Sequence, residues 1–417
     1  MNRIIDKILS REYFFYYTIF YLTFKLFPSL RSFSVLTYIM FLYAILVFVY
    51  NRLIKQFDLK FQCCWFSYGL LAISVISVIV NGYSDLRKVI IDIIPIFVNL
   101  FLFFPTFKED NFDTISEQFY KIMLPIYYIG LIVSILNLLF YGYALVSGSV
   151  SDTTRFRMFG ILGNPNLVGW IEIVFIGTIV YFKHNNNKLV YNTIKFSFVL
   201  AIVCVLLSQC RSAFLALFVY FVFCLLTTKK VNSIFKKRFL LSIISVIILI
   251  SLFLAFLILY DGRFGSNRED VIRFAFYNFN KSNKFFGASY GRLRELWVSN
   301  YHLFFQIDSS LPVRDIFAEA NTHNILLQQL CTNGLIGFTL LLMFIITLVY
   351  CILKFIYDYD TYSEKVKSLL IPICYFAIIG LVVGMFDNSI LQSMTIFMNF
   401  TFLVSAGFLL KLSLIGG

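Results

Sequence analysis

Charge is scarce in this chain, and the scarcity decides its class. Only 14% of the 417 residues are Asp, Glu, Lys or Arg, while 60% are hydrophobic. A soluble domain carries roughly a quarter charged residues and under half apolar ones, so a water-soluble enzyme or carrier is excluded. Histidine is scarcer still: the three are His184, His302 and His323, and any imidazole chemistry must use one of them. The eight cysteines show no spacing suited to a metal or a disulfide framework, and they lie mostly in or beside apolar runs. They read as small buried apolar residues. Also missing are an internal repeat, a glycine-rich phosphate loop and an acidic cluster with metal-ligand spacing in the long polar stretch. No cofactor is expected.

What is present is apolar chain. Runs of about eighteen or more apolar residues recur along the whole length, as membrane-spanning helices require. They predict an all-α fold, a polytopic transmembrane bundle of about twelve spans forming one integral membrane domain over 1–417. The expected spans are near 13–30, 33–50, 63–80, 89–104, 122–146, 161–182, 196–207, 213–226, 239–259, 325–352, 369–385 and 390–410. Arg3, Lys7 and Arg11 resemble the basic start of a signal peptide. The run that follows contains Lys25 and lacks a small-residue cleavage pattern, which predicts a retained first span. A single long polar excursion, 261–322, separates the ninth and tenth spans. It is expected to hold short helices, including an amphipathic one through Leu293, Trp297, Tyr301 and Phe304 at the interface.

The charges orient the bundle. The net charge of +13 could suit nucleic acid in a soluble protein, but here it reflects lysine-rich loops. With the N-terminus inside, the inner loops hold Arg52, Lys55, Lys60, Lys108, Lys121, Lys183, Lys188, Lys195, Lys229, Lys230, Lys236, Lys237, Lys354, Lys365 and Lys367. That distribution follows the positive-inside rule and predicts cytoplasmic termini in a multi-pass bacterial inner-membrane protein. The outer segments carry cations that are almost all arginine: Arg31, Arg87, Arg155, Arg157, Arg211, and several in 261–322, among them Arg263, Arg268, Arg273, Arg292, Arg294 and Arg314. Arginine stays charged and pairs bidentately with phosphate. A diphosphate or other polyanion at the outer leaflet is the expected ligand, against snorkelling to lipid phosphates, which suits Arg31 and Arg87 better than Arg211 in its short turn. Lys25, Asp92 and Glu172 fall within spans, where ionisable residues face the bundle interior and find partners.

Four stretches resemble a known family. Arg157-Met158-Phe159-Gly160-Ile161-Leu162-Gly163-Asn164-Pro165-Asn166 is similar to the Arg-x-x-Gly…Asn-Pro-Asn entry of the O-antigen ligase/polymerase superfamily. Ser208-Gln209-Cys210-Arg211-Ser212-Ala213 resembles its Ser-x-x-Arg turn. Ser266-Asn267-Arg268 with Phe285-Phe286-Gly287-Ala288-Ser289 resembles the beginning of its large periplasmic loop. His323-Asn324-x-x-Leu327 with Asn333-Gly334-Leu335-Ile336-Gly337 resembles the close of that loop. The resemblance covers roughly 150–345. Asn267 stands where glycine is usual, Asn333 where glutamate is frequent, and Ala288 loosens a Gly-x-Gly.

The resemblance implies a glycosyltransferase of the outer face, moving a glycan from a polyprenyl diphosphate to an acceptor sugar without a nucleotide sugar or a metal. The residue types suit that chemistry. Arg211 and Arg268 are expected to stabilise the departing diphosphate, with Arg157 as a further cation. His323 is the candidate general base for the acceptor hydroxyl, with Asn166 and Asn324 as substrate-binding amides. The expected partners are an undecaprenyl-diphosphate-linked oligosaccharide, membrane lipid, a chain-length regulator and a flippase, and no nucleic acid. A polymerase of repeat units is the leading expectation. A ligase to lipid A–core is the alternative within the family. A flippase stands outside it, and should place ionisable residues midway through the membrane between repeated halves.

Overall fold

The computed structural model describes residues 8–26, 34–50, 61–81, 97, 112–140, 143–146, 155–185, 188–227, 267–300, 324–385 and 397–415. Among the described residues the α-helices are α1 (Arg11–Leu26), α2 (Ser34–Val49), α3 (Phe61–Asn81), α4 (Phe112–Leu139), α5 (Pro165–His184), α6 (Lys188–Ser208), α7 (Arg211–Leu226), α8 (Asn267–Lys281), α9 (Tyr290–Asn300), α10 (Ile325–Tyr357), α11 (Glu364–Gly384) and α12 (Phe397–Ile415). Four are long and apolar enough to cross a membrane by length and composition: 115–139 within α4, then α5, α10 and α11. Parts of α2, α3, α6, α7 and α12 are apolar but shorter. The expected span near 239–259 lies outside the described residues, as does the one near 89–104 apart from residue 97.

The expected fifth span reached residue 146, and the structure corrects this. Helix α4 ends at Leu139, and Tyr143–Val146 forms a strand, β1, that pairs antiparallel with β2 (Arg155–Met158). Tyr143 faces Met158 and Val146 faces Arg155. A β-rich run of Tyr-Ala-Leu-Val pairs as well with a second strand as it continues a helix. The all-α expectation therefore holds for the bundle and gives way at this one hairpin, which leads into a 3₁₀ turn at Gly160–Leu162.

Helix α5 is the centre. It is apolar all round, and such a helix is stable only inside a bundle. Val168, Ile173, Phe175 and Phe182 are buried, and α4, α6, α7, α11 and α12 all contact it. Close approach is permitted by small residues, as in membrane bundles generally. A Cβ on Gly130 would lie 2.5 Å from the Phe175 ring, and one on Gly177 would lie 2.5 Å from both Phe376 and Tyr375. Aromatic contacts add to this packing, with Phe66 stacked on Phe344 at 4.1 Å and Tyr220 edge-on to Tyr375 at 4.4 Å. Several buried hydroxyls are satisfied locally: Thr18, Ser74 and Ser134 each donate to a carbonyl one helical turn back. Tyr127 bridges α4 to α6 by bonds of 2.8 Å to Thr193 and Ser197. The outward faces of α7 and α10 expose Phe214, Phe218 and Phe221, and Leu342, Met343 and Ile346. In water such faces would be a liability, whereas lipid tails solvate them.

The bundle has two chemically distinct ends. Helices α5 and α11 run antiparallel: Asn185 after α5 donates to Ser368 O near the start of α11, and the Tyr375 hydroxyl donates to Ile173 O midway. One end thus gathers the start of α4, the end of α5 and the start of α11, where Lys365 pairs with Asp113 at 2.6 Å. That pair is exposed and contributes little. The opposite end gathers the starts of α5 and α7 and the ends of α6 and α11. The start of α10 belongs there too, because Asn324 Nδ2 donates to Met385 O at 3.0 Å. Lys183, Lys188, Lys354, Lys365 and Lys367 belong to the first end, Arg157 and Arg211 to the second.

Candidate functional site

The site at the arginine end begins with Asn164. Its backbone is extended, Pro165 follows at the first helical position, and its side-chain Oδ1 accepts from Asn166 N at 2.9 Å and Leu167 N at 3.3 Å. Both are devices for starting a helix: the cap fills donors that lack an intrahelical carbonyl, and proline needs no donor there. Replacing Asn164 with alanine is expected to cost about 1 kcal/mol, measurable as a lowered thermal midpoint of the detergent-solubilised protein.

The start of α5 fixes Asn166, which in turn holds Arg157. Arg157 Nη2 donates to Asn166 Oδ1 at 2.7 Å and to Gln209 O at 3.4 Å, while its Nε donates to Ser208 O at 3.1 Å. The guanidinium fork therefore ties strand β2 and the start of α5 to the turn between α6 and α7. Arg157 is expected as a further cation for the substrate; much of its donor set holds the protein together.

The turn itself is tight. Gln209 takes a left-handed conformation, with φ of 48°. Ser208 Oγ accepts from Cys210 N at 3.3 Å. Trp170 Nε1, one turn into α5, donates to Ser212 Oγ at 3.0 Å. Gly169 permits the contact between the helices: a Cβ there would sit 2.4 Å from Cys210 Cβ. Cys210 is buried beneath the turn, and Arg211 is exposed as the first residue of α7. Arg211 is thus a cation displayed on a fixed base, beside backbone N–H groups at a helix N-terminus that also favour an anion.

A second assembly forms at the start of α10. Asn324 caps this helix by accepting from Leu327 N at 2.9 Å, and its amide nitrogen holds the end of α11. Nine residues into α10 the helix breaks at Gly334, whose φ is 66° and ψ −163°. Into this break docks the segment after α8. Ala288 N and Ser289 N donate to Cys331 O and Thr332 O at 2.9 Å each, and Leu335 N and Ile336 N donate to Lys284 O and Phe285 O at 2.9 and 3.3 Å. From α3, Ser77 Oγ donates to Thr332 O and Asn81 Nδ2 to Gly287 O, each at 2.9 Å. Ala275, Ala288, Leu293 and Cys331 form a small core that seats α8 and α9 on α10. The expected amphipathic segment is helical through Asn300 with Leu293 buried; Tyr301 and Phe304 lie outside the described residues.

Of the expected site residues, Arg157, Asn166 and Arg211 come together, and Asn324 lies at the same end as a helix cap. His323 lies outside the described residues, one position before Asn324, and Arg268 is in the first turn of α8 with its side chain outside them. Glu172 is wholly buried beneath the site, bonded to Ser134 and Asn137 of α4. Neither of those partners was singled out from the sequence, although a serine and an asparagine three residues apart in an apolar run are the signal that was there to be read. Among the described residues no three His, Cys, Asp or Glu gather as metal ligands would.

A family model described as O-Antigen ligase matches residues 196–342. The match contains Arg211, Arg268, His323 and Asn324, and begins beyond Arg157 and Asn166. No curated protein matches the chain. The arginine-bearing turn before α7 and the loop seated on the break in α10 both fall within residues 196–342, which are similar to that family, in a chain whose helices α4, α5, α10 and α11 hold stretches long and apolar enough to span a membrane.

Proposed function

We propose that the protein polymerises lipid-linked oligosaccharide repeat units at the outer face of the membrane. The observation that carries this reading is Arg211: an exposed guanidinium on a rigid turn, at the same end of the bundle as Asn324 and the chain leading to His323. The acceptor hydroxyl oxygen forms a bond to the anomeric carbon of the donor glycan. The bond from that carbon to the diphosphate oxygen breaks, and its electron pair leaves with the diphosphate. Arg211 and Arg268 offset the negative charge that grows there, an interaction strongest where water is excluded. His323 takes the proton from the hydroxyl. Lysines are enriched in cytoplasmic segments of membrane proteins, so their gathering at the opposite end supports transfer on the far, outer side.

Deleting the gene is expected to leave single repeat units on the surface glycan. A cell with no surface glycan and finished polymer stranded on its carrier would instead mark a ligase, and units trapped inside would mark a flippase. A lysine at position 157 keeps one positive charge but lacks the planar fork that spans Asn166, Ser208 and Gln209. Arg157→Lys is expected to slow transfer about tenfold by loosening the turn under Arg211, read as shortened chains with normal membrane levels of the protein.

A further inference from the structure

Glu172 is a wholly buried ionisable residue near the site, and the mechanism above makes no use of it. Its carboxyl lies between two residues of α4. Oε2 is 2.6 Å from Ser134 Oγ, and Oε1 accepts from Asn137 Nδ2 at 3.3 Å. Asn137 in turn accepts, through Oδ1, the Ile161 backbone N–H at 3.2 Å. The fit around this amide is close: a Cβ on Gly160, whose φ is 53°, would lie 2.2 Å from Asn137 Oδ1. The segment so held, Gly160–Ile161, follows directly on β2 and stands between Arg157 and Asn164.

Proton counting gives the carboxyl its role. Ser134 Oγ also lies 2.8 Å from Gly130 O, one turn back in its own helix. A hydroxyl has one proton, and a carbonyl can only accept it. The short contact to Glu172 is then a bond that the carboxyl donates, while its other oxygen accepts from Asn137. The other ionisable group facing this cluster is the buried thiol of Cys204, whose Sγ is 3.7 Å from Ser134 O. An apolar residue at 172 would fill the space but leave Asn137 Nδ2 and one lone pair of Ser134 Oγ unfilled in a dry interior, the costly case for polar groups.

We infer that Glu172 is a positioning residue: through Asn137 it fixes the Gly160–Ile161 turn, and so sets the register of Arg157 against the turn that carries Arg211. It acts as a donor–acceptor pair, a pattern that a glutamine amide reproduces. The activity arm of the test rests on the transfer reading above; the exchange arm does not. Hydrogen–deuterium exchange of the detergent-solubilised full chain, followed over peptides spanning 156–163, is paired with chain-length analysis in cells carrying each variant. Glu172→Gln is expected to match the parent in both. Glu172→Ala and Asn137→Ala are expected to speed exchange across 156–163 and to reduce extension about tenfold to a hundredfold, the scale of a misplacement near one ångström. Arg211→Ala should stop extension with exchange in 156–163 unchanged. If Arg211→Ala extends chains normally, the transfer reading falls while the exchange results still decide the role of Glu172. Parent-like exchange in both alanine variants overturns the inference, as does a Glu172→Gln as impaired as Glu172→Ala, which would mean that the acid's proton is itself used. Should Glu172→Ala fail to accumulate, Asn137→Ala and Glu172→Gln decide by the same criteria.

Discussion

Replacing Arg211 with alanine is expected to reduce glycan extension by about a hundredfold or more, the scale seen when one preorganised electrostatic donor is removed from a reacting centre. The side chain is exposed, and no packing depends on it, so stability should change by no more than about 0.5 kcal/mol. The turn beneath is held by other groups: Arg157 on the carbonyls of Ser208 and Gln209, Trp170 on Ser212, and Cys210 against Gly169. Arg211→Ala thus separates chemistry from folding. Arg211→Lys is the sharper variant. A lysine at the head of α7 retains the charge and most of the reach, but offers a compact ammonium in place of a planar fork. If the ligand is a diphosphate bound through two oxygens, lysine should recover only a small part of the lost extension. If the residue merely adds positive potential, lysine should restore nearly all of it. His323→Ala is expected to stop extension as well, with a different signature: the lipid-linked donor should still bind. The measurement is the ladder of surface glycan lengths beside the amount of protein in the membrane. Normal long chains with Arg211→Ala would remove this turn from the mechanism.

Much of the bundle was legible because apolar run length is a strong signal and local. The segment around α5 could be placed within a few residues from Pro165 and the lysine and histidine that end it. The four motif stretches could be placed in order, and two of them meet through Arg157 and the Ser208–Gln209 carbonyls. Contacts that join distant segments were not legible. The sequence shows Arg157 as a cation on a loop; it does not show that three protein oxygens already face its guanidinium. The hairpin was hidden by its composition, since Tyr-Ala-Leu-Val suits the end of an apolar helix as well as a strand. The break in α10 was hidden more deeply. A glycine in an apolar helical run ordinarily signals tolerance or close packing, and the reason for Gly334 lies about fifty residues earlier, at Lys284–Ser289. For the same reason Ser77 and Asn81, at the end of an apolar helix, gave no hint that they are hydrogen-bonded to this junction.

That junction predicts the largest effect on stability. Gly334 combines a positive φ of 66° with a ψ of −163°, a region of backbone space open essentially to glycine. An alanine there is strained by about 1–3 kcal/mol before any contact is considered. Contact is worse: the added Cβ would stand 2.3 Å from Phe285 O and 2.6 Å from Gly287 N. Both are backbone atoms and cannot swing aside as a side chain would. To admit the methyl group the 284–289 segment must lift, and its bonds to Cys331, Thr332, Leu335 and Ile336 go with it. Those four groups are left open by the helix break; Cys331 O, Leu335 N and Ile336 N would lose these bonds at once, and Thr332 O would keep only its bond from Ser77 Oγ. The combined cost should exceed about 4 kcal/mol, placing Gly334→Ala among the exceptional single substitutions. Gly287→Ala should behave alike, because its φ is 70° and its Cβ would lie 2.5 Å from Gly334 N and Thr332 O. Gly69→Ala in α3 is the control. It lies within regular helix, and the nearest atom to its Cβ is Leu340 Cδ1 at 3.2 Å, the end of a side chain that can turn. There the helix propensity of alanine, about 1 kcal/mol better than glycine, offsets the small crowding. Thermal unfolding in detergent should therefore show Gly69→Ala near the parent, with Gly334→Ala and Gly287→Ala collapsed or absent from the membrane. A Gly334→Ala protein that melts with the parent would mean that the loop is not seated on the helix break, and that α8 and α9 reach the arginine end by some other route.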